Sequence, residues 1–178
     1  MDKVILCIDP AFRNTGWSLF QGEELLSAGL VQTFNKKVKP GHVCEDRVND
    51  TIKIALEVNK IFQDARFTTN NRGGIEQVWG EYPGGSQQAV VASMAGLIVG
   101  MWIQKTVDEG IEPIIWVTPR QVKLHGTGIL NATKHQVMAF VRSTYPNYHC
   151  FPDKSGEFEH IADSIAVFHA VRNLRLDK

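Results

Sequence analysis

The chain has 178 residues, of which 43% are apolar and 21% are charged, a composition typical of a soluble globular protein. This length predicts a single domain, 1–178, that buries a sizeable core. The N-terminus has no apolar stretch long enough for a signal peptide, and the longest apolar segment, 89–103, is interrupted by Ser93 and two glycines. We therefore expect a cytoplasmic protein without a membrane partner.

Three cysteines, Cys7, Cys44 and Cys150, are widely spaced and include no CxxC pair. This pattern fits a reducing compartment better than disulfides or a zinc site. Cys7 lies within an apolar run and is predicted to be a core residue.

The formal net charge is zero, which on its own argues against a nucleic-acid partner. The distribution of charge weakens that argument, because the segment 113–152 contains no Asp or Glu. Its basic and imidazole side chains are Arg120, Lys123, Lys134, Arg142, His125, His135 and His149. A basic face can therefore coexist with a neutral total, although a solvated face without a partner would give the same pattern.

The hydrophobic pattern predicts about five strands and four helices. The strands are 3–9, 15–20, 24–31, 75–81 and 113–117. The first helix ends near 65, with Val48, Ile52, Leu56 and Asn59 on its apolar stripe. The second spans 86–109, the third begins at a cap at Asn131 or Thr133 and ends near 143, and the last spans 157–174. A basic loop with Lys36, Lys37 and Lys39 and a flexible loop at 68–74 separate these elements.

A three-stranded meander followed by alternating helices and strands predicts an α/β fold with a mixed sheet. Asp9 closes the first apolar strand, and Glu81 closes the fourth. Ligands collect at the carboxyl ends of parallel strands, so we expect these carboxylates to converge if the two strands are neighbours. Two buried anions that close repel each other unless divalent cations lie between them.

The last predicted helix adds His160 and Asp163, which share a face because they are three residues apart. Ile161, Ile165 and Phe168 would point elsewhere. Carboxylates and imidazole suit Mg²⁺ or Mn²⁺, and two such ions about 4 Å apart are a standard device for in-line phosphodiester hydrolysis.

Three segments together resemble the RuvC Holliday-junction resolvases, a family that includes phage members. IDPAFRNTGW, at 8–17, looks like their opening motif. PRQVKLHGTGILNATKHQV, at 119–137, resembles their stretch with two functional lysines eleven positions apart, and HIADSIAVFHA, at 160–170, is similar to their closing helix. The resemblance implies an RNase H-like fold, a five-stranded mixed sheet flanked by helices, and a homodimer that makes paired metal-dependent nicks in four-way DNA junctions.

Carried across residue by residue, the resemblance implies that Asp9, Glu81 and Asp163 bind metal. It makes His160 a ligand or a proton-transfer group. Lys123 and Lys134 would contact DNA phosphates or stabilise charge at the scissile group. Further predicted DNA contacts are Arg13, Arg120 and Ser86, the last at the N-terminus of a helix, where backbone N–H groups can bind phosphate.

The position of the second carboxylate is ambiguous. The segment 75–79 also resembles the block around the family's catalytic Glu, and that register would nominate Glu76, with Trp79 as the aromatic that helps to open the junction. Glu81 is preferred because a strand ending at Glu76 would consist of 70–74, Asn-Asn-Arg-Gly-Gly, which cannot fill a core. With Glu81 as ligand, Tyr82 is the nearest following aromatic.

The resemblance therefore implies a hydrolase of DNA recombination and repair that uses two Mg²⁺ or Mn²⁺ ions per site, leaves 5′-phosphate ends and, in a bacterial host, works with a branch-migration helicase. The apolar segment 89–103 would supply the dimer interface. The alternatives are a broader branched-DNA or flap nuclease and a non-catalytic junction-binding module. The segment 9–16 also resembles the phosphate loop of actin-like ATPases and sugar kinases, but the chain has no room for their second domain.

Overall fold

A computed structural model describes residues 2–33, 43–68, 74–84 and 89–176. The elements, in chain order, are β1 (Val4–Asp9), β2 (Asn14–Gln21), β3 (Glu24–Gln32), α1 (Val43–Thr68), β4 (Gln77–Glu81), α2 (Ala89–Asp108), β5 (Ile115–Val117), α3 (Pro119–Gln121), a π-helical segment (Val122–Gly126), α4 (Lys134–Thr144) and α5 (Ser155–Leu176).

The five strands form one mixed sheet in the order β3-β2-β1-β4-β5. The first three strands are an antiparallel meander, while β4 pairs parallel with β1 and β5 pairs parallel with β4. The predicted five-stranded mixed sheet is confirmed. Because β1 and β4 are adjacent and parallel, the carboxyl ends of both strands lie at the same edge of the sheet.

Alternate residues of β1 point to opposite faces of the sheet, and each face carries its own core. Leu6 and Ile8 pack with side chains of α1 and α2, whereas Ile5 and Cys7 pack with those of α4 and α5. Cys7 is fully buried, as predicted. The same alternation directs Asp9, two residues after Cys7, toward the face that α5 covers.

The last helix, α5, contacts all five strands. Three of its residues, Ile161, Ile165 and Phe168, are buried. The Phe168 ring stacks on Phe20 with 3.8 Å between ring centroids. These three side chains belong to the core, whereas His160 and Asp163 are only partly buried. The observed helix is longer than the predicted 157–174, and β5 is shorter than the predicted 113–117.

The predicted apolar stripe of α1 is wrong. Val48, Ile52 and Leu56 are 58%, 53% and 65% exposed, and Asn59 is also exposed. The buried face of the helix is instead formed by Ile54, Val58, Ile61, Phe62 and Ala65. Both series have helical spacing, and the second is buried because it is denser and includes the large ring of Phe62, which packs against Trp102.

The segment between β5 and α4 contains helical turns that the sequence did not predict. Thr118 caps α3 by accepting a hydrogen bond from the backbone N–H of Gln121, and α3 runs directly into the π-helical segment. Of the two caps predicted for α4, Asn131 and Thr133, the structure shows Thr133, which accepts from the backbone N–H of Gln136. Within the described ranges, no helix combines the length and hydropathy that a membrane span requires.

Several predicted features lie outside the described residues. They are the basic loop with Lys36, Lys37 and Lys39, most of the 68–74 loop, the start of the second predicted helix with Ser86, and the side chain of Cys44.

Candidate active site

The strand register brings two of the predicted site residues side by side. β1 and β4 pair with Ile8 opposite Gly80, so Asp9 and Glu81 are the next residues on adjacent parallel strands. Trp79 belongs to the core beneath α5, and the two-residue repeat of a strand directs Glu81 to that same face. Both carboxylates are therefore half-buried at one edge of the sheet and directed toward α5.

Glu76 immediately precedes β4, at the end of the strand opposite to Glu81. Its backbone N–H donates to the Val4 carbonyl at 2.9 Å, and its Oε1 accepts from the Val4 N–H at 3.3 Å, so it is fixed beside the start of β1. Five residues of extended chain, about 16 Å, separate Glu76 from Glu81. The structure therefore brings Glu81, and not Glu76, next to Asp9.

The first turns of α5 bring His160 to Asp9. The Nδ1 atom of His160 lies 3.0 Å from Oδ2 of Asp9, and both side chains are largely shielded from solvent. The hydrogen bond with Asp9 raises the pKa of His160 and so favours its protonated form. His160 is thus placed to hold or pass on a proton beside the strand ends.

Gly16 makes this approach possible. It pairs with Asp9 across β1 and β2, and a Cβ atom at Gly16 would lie 1.9 Å from the carbonyl oxygen of His160. The α5 backbone therefore rests directly on β2 at this point. Farther along the same contact, the buried hydroxyl of Ser164 donates to Ser18 Oγ at 3.1 Å.

Asp163 completes the group from the same face of α5. Burial, followed by the nearby charges of Asp9 and Glu159, raises the pKa of Asp163 to about 7. Burial, followed by the charges of Asp9 and Asp163, raises the pKa of Glu81 to about 8. The three carboxylates are therefore close enough to repel one another, as predicted for strand ends and a helix that converge.

The two predicted lysines flank this carboxylate group. Lys123, on the π-helical segment, lies near Glu81 and partly offsets the rise in the pKa of that carboxyl. Lys134 is the first residue of α4 and does the same for Asp163, while its ammonium group forms an ion pair with Glu159. The side chain of Lys134 is 70% exposed, so its ammonium group is accessible from solvent.

The loop between β1 and β2 is held by hydrogen bonds. The buried hydroxyl of Thr15 donates to the Ala11 carbonyl at 2.7 Å and accepts from the Ala11 N–H at 3.2 Å. The N–H of Thr33 donates to the carbonyl of Arg13 at 3.0 Å. The loop is thus fixed beside Asp9, and the predicted DNA contacts Arg13 and Arg120 are exposed.

The aromatic side chains near the site differ in accessibility. Trp79 is buried, and its ring packs against Phe168 and Arg175, so it is not free to stack on a base. Tyr82 is 54% exposed and meets the edge of Trp116. Tyr82 also lines a cavity of about 360 Å³ between the loops after β1 and β4 and the helix α2.

The donor set suits a hard divalent cation, although the side chains do not form a finished metal site. Within the described part of the chain, no three His, Cys, Asp or Glu side chains stand close enough together to hold an ion as they are placed. Oxygen donors from Asp9, Glu81 and Asp163 nevertheless carry the mutual repulsion that a divalent cation would relieve. His160 supplies a borderline nitrogen donor in the same group.

The sequence patterns did not identify two residues that border the candidate site, Gly16 and Glu159. Gly16 was included in the opening motif, but only the contact with α5 shows why a side chain is excluded there. Glu159 precedes His160 and lies four residues before Asp163, so helical spacing alone puts it on the same face. Its partner, Lys134, is far away in sequence, and no local pattern predicts that pair.

Solved structures with the same fold include three structures of two junction resolvases. The structure of Thermus thermophilus RuvC in complex with a Holliday junction substrate superposes with a TM-score of 0.71 at 22% identity, covering 97% of this chain and 94% of that one. Thermus thermophilus RuvC in a second structure gives 0.67 at 22% identity, covering 98% and 96%. The yeast mitochondrial Holliday junction resolvase Ydc2 gives 0.58 at 10% identity, covering 98% and 80%.

The predicted RNase H-like fold is confirmed. The likeness covers nearly the whole chain and includes α5, which carries half of the candidate site. No family model and no curated protein matches the sequence. At this level of identity the similarity establishes the fold, and the function has to be argued from the site.

Proposed function

We propose that this chain is a divalent-metal-dependent endodeoxyribonuclease that resolves four-way DNA junctions by paired nicks. The observation that supports this proposal most strongly is the convergence of Asp9, Glu81, His160 and Asp163 at one edge of the sheet, with Lys123 and Lys134 beside them. Carboxylates bind the cations of phosphodiester hydrolysis, and lysines bind the phosphates of its substrate. The RNase H-like fold brings both sets of side chains together.

Each side chain has a role that follows from its place. Asp9, Glu81 and Asp163 would hold two Mg²⁺ or Mn²⁺ ions, with His160 as a further ligand or as the group that holds a proton. When bound, such ions activate water as the nucleophile and stabilise the leaving 3′ oxygen. Lys123 and Lys134 would bind the phosphates next to the cleaved bond, and the products would carry 5′-phosphate and 3′-hydroxyl ends.

The outer face of α2 supports a homodimer. Leu97, Ile103 and Val107 are 41%, 43% and 64% exposed, and the space above Gly96 and Gly100 is open within the described residues. Such an apolar stripe with small residues between large ones can pack closely against a second copy. A symmetric dimer would present two sites, which paired nicking of opposed strands requires.

Junction shape would provide most of the selectivity. Phosphate contacts from Lys123, Lys134, Arg13 and Arg120 orient DNA but do not read its sequence. Trp79 is buried, so Tyr82 is the exposed aromatic next to the carboxylates that a splayed base would meet. A broader branched-DNA nuclease is the second candidate, because these contacts suit any DNA that presents phosphates and an unpaired base.

The deciding experiment compares cleavage of a synthetic four-way junction, a flap and a linear duplex of matched sequence. Each substrate is incubated with the full chain in Mg²⁺, in Mn²⁺ and in EDTA, and the Asp9→Asn variant is the control. We expect metal-dependent paired nicks in the junction, with ends that a DNA ligase can seal, and no cleavage by the variant.

Each alternative result identifies a different function. Equal cleavage of the junction and the flap would replace resolution with a general branched-DNA activity. Binding of the junction without cleavage in either metal would indicate a non-catalytic module. Cleavage that survives EDTA or Asp9→Asn would contradict the assigned site.

A further inference from the structure

Glu159 links the two helices that border the candidate site. It lies on α5 immediately before His160, and it forms an ion pair with Lys134, the first residue of α4. The carboxylate side chain is only 19% exposed, whereas that of the lysine is 70% exposed. The acid is therefore the fixed partner and the lysine the adaptable one.

The pair holds the ammonium group of Lys134 at the rim of the carboxylate group. Glu159 lies one helical turn before Asp163, on the same face of α5. The ammonium group is close enough to Asp163 and Asp9 to feel both charges, in addition to that of Glu159. A long lysine side chain would otherwise sample many rotamers in solvent, and the ion pair limits it to this one region.

A second acidic residue on α5 provides a contrast. Glu157 pairs with Lys154, three residues earlier in the chain, at an Nζ–Oε1 distance of 3.1 Å. That lysine is 81% exposed, and the pair is local to the first turn of the helix. Glu157 and Glu159 thus form similar ion pairs on one helix, but only Glu159 reaches a lysine from another element beside the candidate site.

We infer that Glu159 is a positioning residue that holds Lys134 where the phosphate next to the cleaved bond binds. The inference rests on the proposed nuclease function and adds a residue to it. Glu159 does not contact DNA; it acts through Lys134 by reducing the freedom that the lysine must lose when it binds phosphate in the transition state. Its loss should therefore lower turnover more than it weakens substrate binding.

The test is a double-mutant cycle with Glu159→Gln and Lys134→Ala, measured as kcat and KM for junction cleavage in Mg²⁺. We expect Glu159→Gln to lower kcat about tenfold with KM changed less than about twofold. In the Lys134→Ala background the same change should have no further effect, because the residue it positions is gone. Glu159→Asp, which keeps the charge on a shorter side chain, should recover part of the loss.

Glu157→Gln is the matched control and should leave kcat and KM unchanged. Thermal unfolding of each variant verifies that the fold is retained. An equal loss in the wild-type and Lys134→Ala backgrounds would overturn the inference, as would an unchanged kcat for Glu159→Gln. Faster cleavage with a lower KM would also overturn it, because Glu159 would then compete with phosphate for the lysine.

The two proposals can fail separately. A wild-type chain that binds the junction but does not cut it contradicts the nuclease function and, with it, the role of Glu159. A wild-type chain that cuts the junction, together with additive effects in the cycle, contradicts only the role of Glu159.

Discussion

Three carboxylates at the edge of the sheet lie within electrostatic reach of one another, and burial makes the ionisation of two of them, Glu81 and Asp163, costly. Glu81 and Asp163 have pKa values near 8 and 7 for this reason. Near neutral pH the group therefore holds protons that a divalent cation would have to displace. The same side chains thus link metal binding, proton release and stability.

Replacing Glu81 and Glu76 separately by Gln tests which of the two carboxylates belongs to the candidate site. If the chain has the proposed function, we expect Glu81→Gln to reduce junction cleavage at least about 100-fold, because it would remove a charged ligand of the cations that stabilise the transition state. Binding of the junction in Ca²⁺, measured by fluorescence anisotropy, should be retained. Glu76→Gln, next to the start of β4, is the matched control and should leave cleavage nearly unchanged. A larger loss for Glu76→Gln than for Glu81→Gln would make Glu76 the second carboxylate of the site.

The raised pKa of Glu81 predicts how stability depends on pH. Because the folded-state pKa of Glu81 is about 8 and the ordinary pKa of its carboxyl is 4.5, the folded chain binds more protons than the unfolded chain between these values. The contribution of Glu81 is therefore fully present below about pH 4.5 and is lost as pH rises through about 8. We expect the Tm of Glu81→Gln, relative to wild type in EDTA, to increase from pH 5 to pH 8.5.

Excess Mg²⁺ should reverse this difference at pH 8.5, since the wild-type chain gains the binding free energy of the cation and the variant loses a ligand. His169 also titrates in acid, because burial lowers its pKa to about 4, but it is present in both chains and cancels in the comparison. A Tm difference that stays constant with pH would contradict the burial of Glu81.

Sequence reasoning identified these carboxylates because each one interrupts or follows an apolar pattern. Asp9 and Glu81 end buried strands, and Asp163 shares a helical face with His160. Local patterns could not predict the partner of His160 or of Lys134, because those contacts join residues that only the tertiary fold brings together. Glu76 resembled a family block in sequence, but the apolar run before Glu81 favoured Glu81, and the strand register places Glu81 beside Asp9.

The helix α5 can pack directly on β2 because Gly16, a residue of β2, has no side chain. A Cβ atom at Gly16 would lie 1.9 Å from His160 O and 2.3 Å from the carbonyl carbon. Backbone atoms cannot move aside as a flexible side chain can, so a methyl group at Gly16 has to push the helix away from the sheet. Both His160 and Asp163 would move with it.

We therefore expect Gly16→Ala to destabilise the chain by about 3 kcal/mol, as other overpacked cores are destabilised. Urea unfolding followed by circular dichroism measures the free energy of unfolding, and a cleavage assay on the remaining folded fraction should show reduced activity. Gly156→Ala is the control on α5, where a Cβ atom meets nothing within 4 Å. Equal stability of the two variants would mean that α5 does not rest on β2 at this point.

Among the elements, those with one dominant pattern were predicted well. The strands of the meander, the cap at Thr133 and the face of α5 follow from alternation, capping chemistry and a dense apolar series. The buried face of α1 was wrong because two series with helical spacing compete along it, and packing against Trp102 decides between them. The π-helical segment that carries Lys123 has no sequence rule of comparable strength.

The exposed apolar side chains of α2 make assembly testable for the whole protein. Leu97→Glu places a charge in the middle of the proposed interface, and burying it there would be costly. We expect sedimentation equilibrium to show a dimer for the wild-type chain and a monomer for this variant. Cleavage by the monomer should yield single nicks in place of paired ones.

Phe67→Glu is the matched control, because Phe67 is 89% exposed near the end of α1 and lies on a different helix from the α2 stripe. It should remain a dimer. A monomeric wild-type chain, or a Leu97→Glu variant that is still dimeric, would exclude α2 as the interface.

The position of α5 after every strand has a consequence for synthesis of the protein. A ribosome completes β1 to β5, and with them Asp9 and Glu81, before His160 and Asp163 leave the exit tunnel. A prematurely terminated polypeptide that lacks α5 would therefore carry only two of the four candidate site residues, Asp9 and Glu81. Assembly of the candidate site therefore waits until α5 has been synthesised.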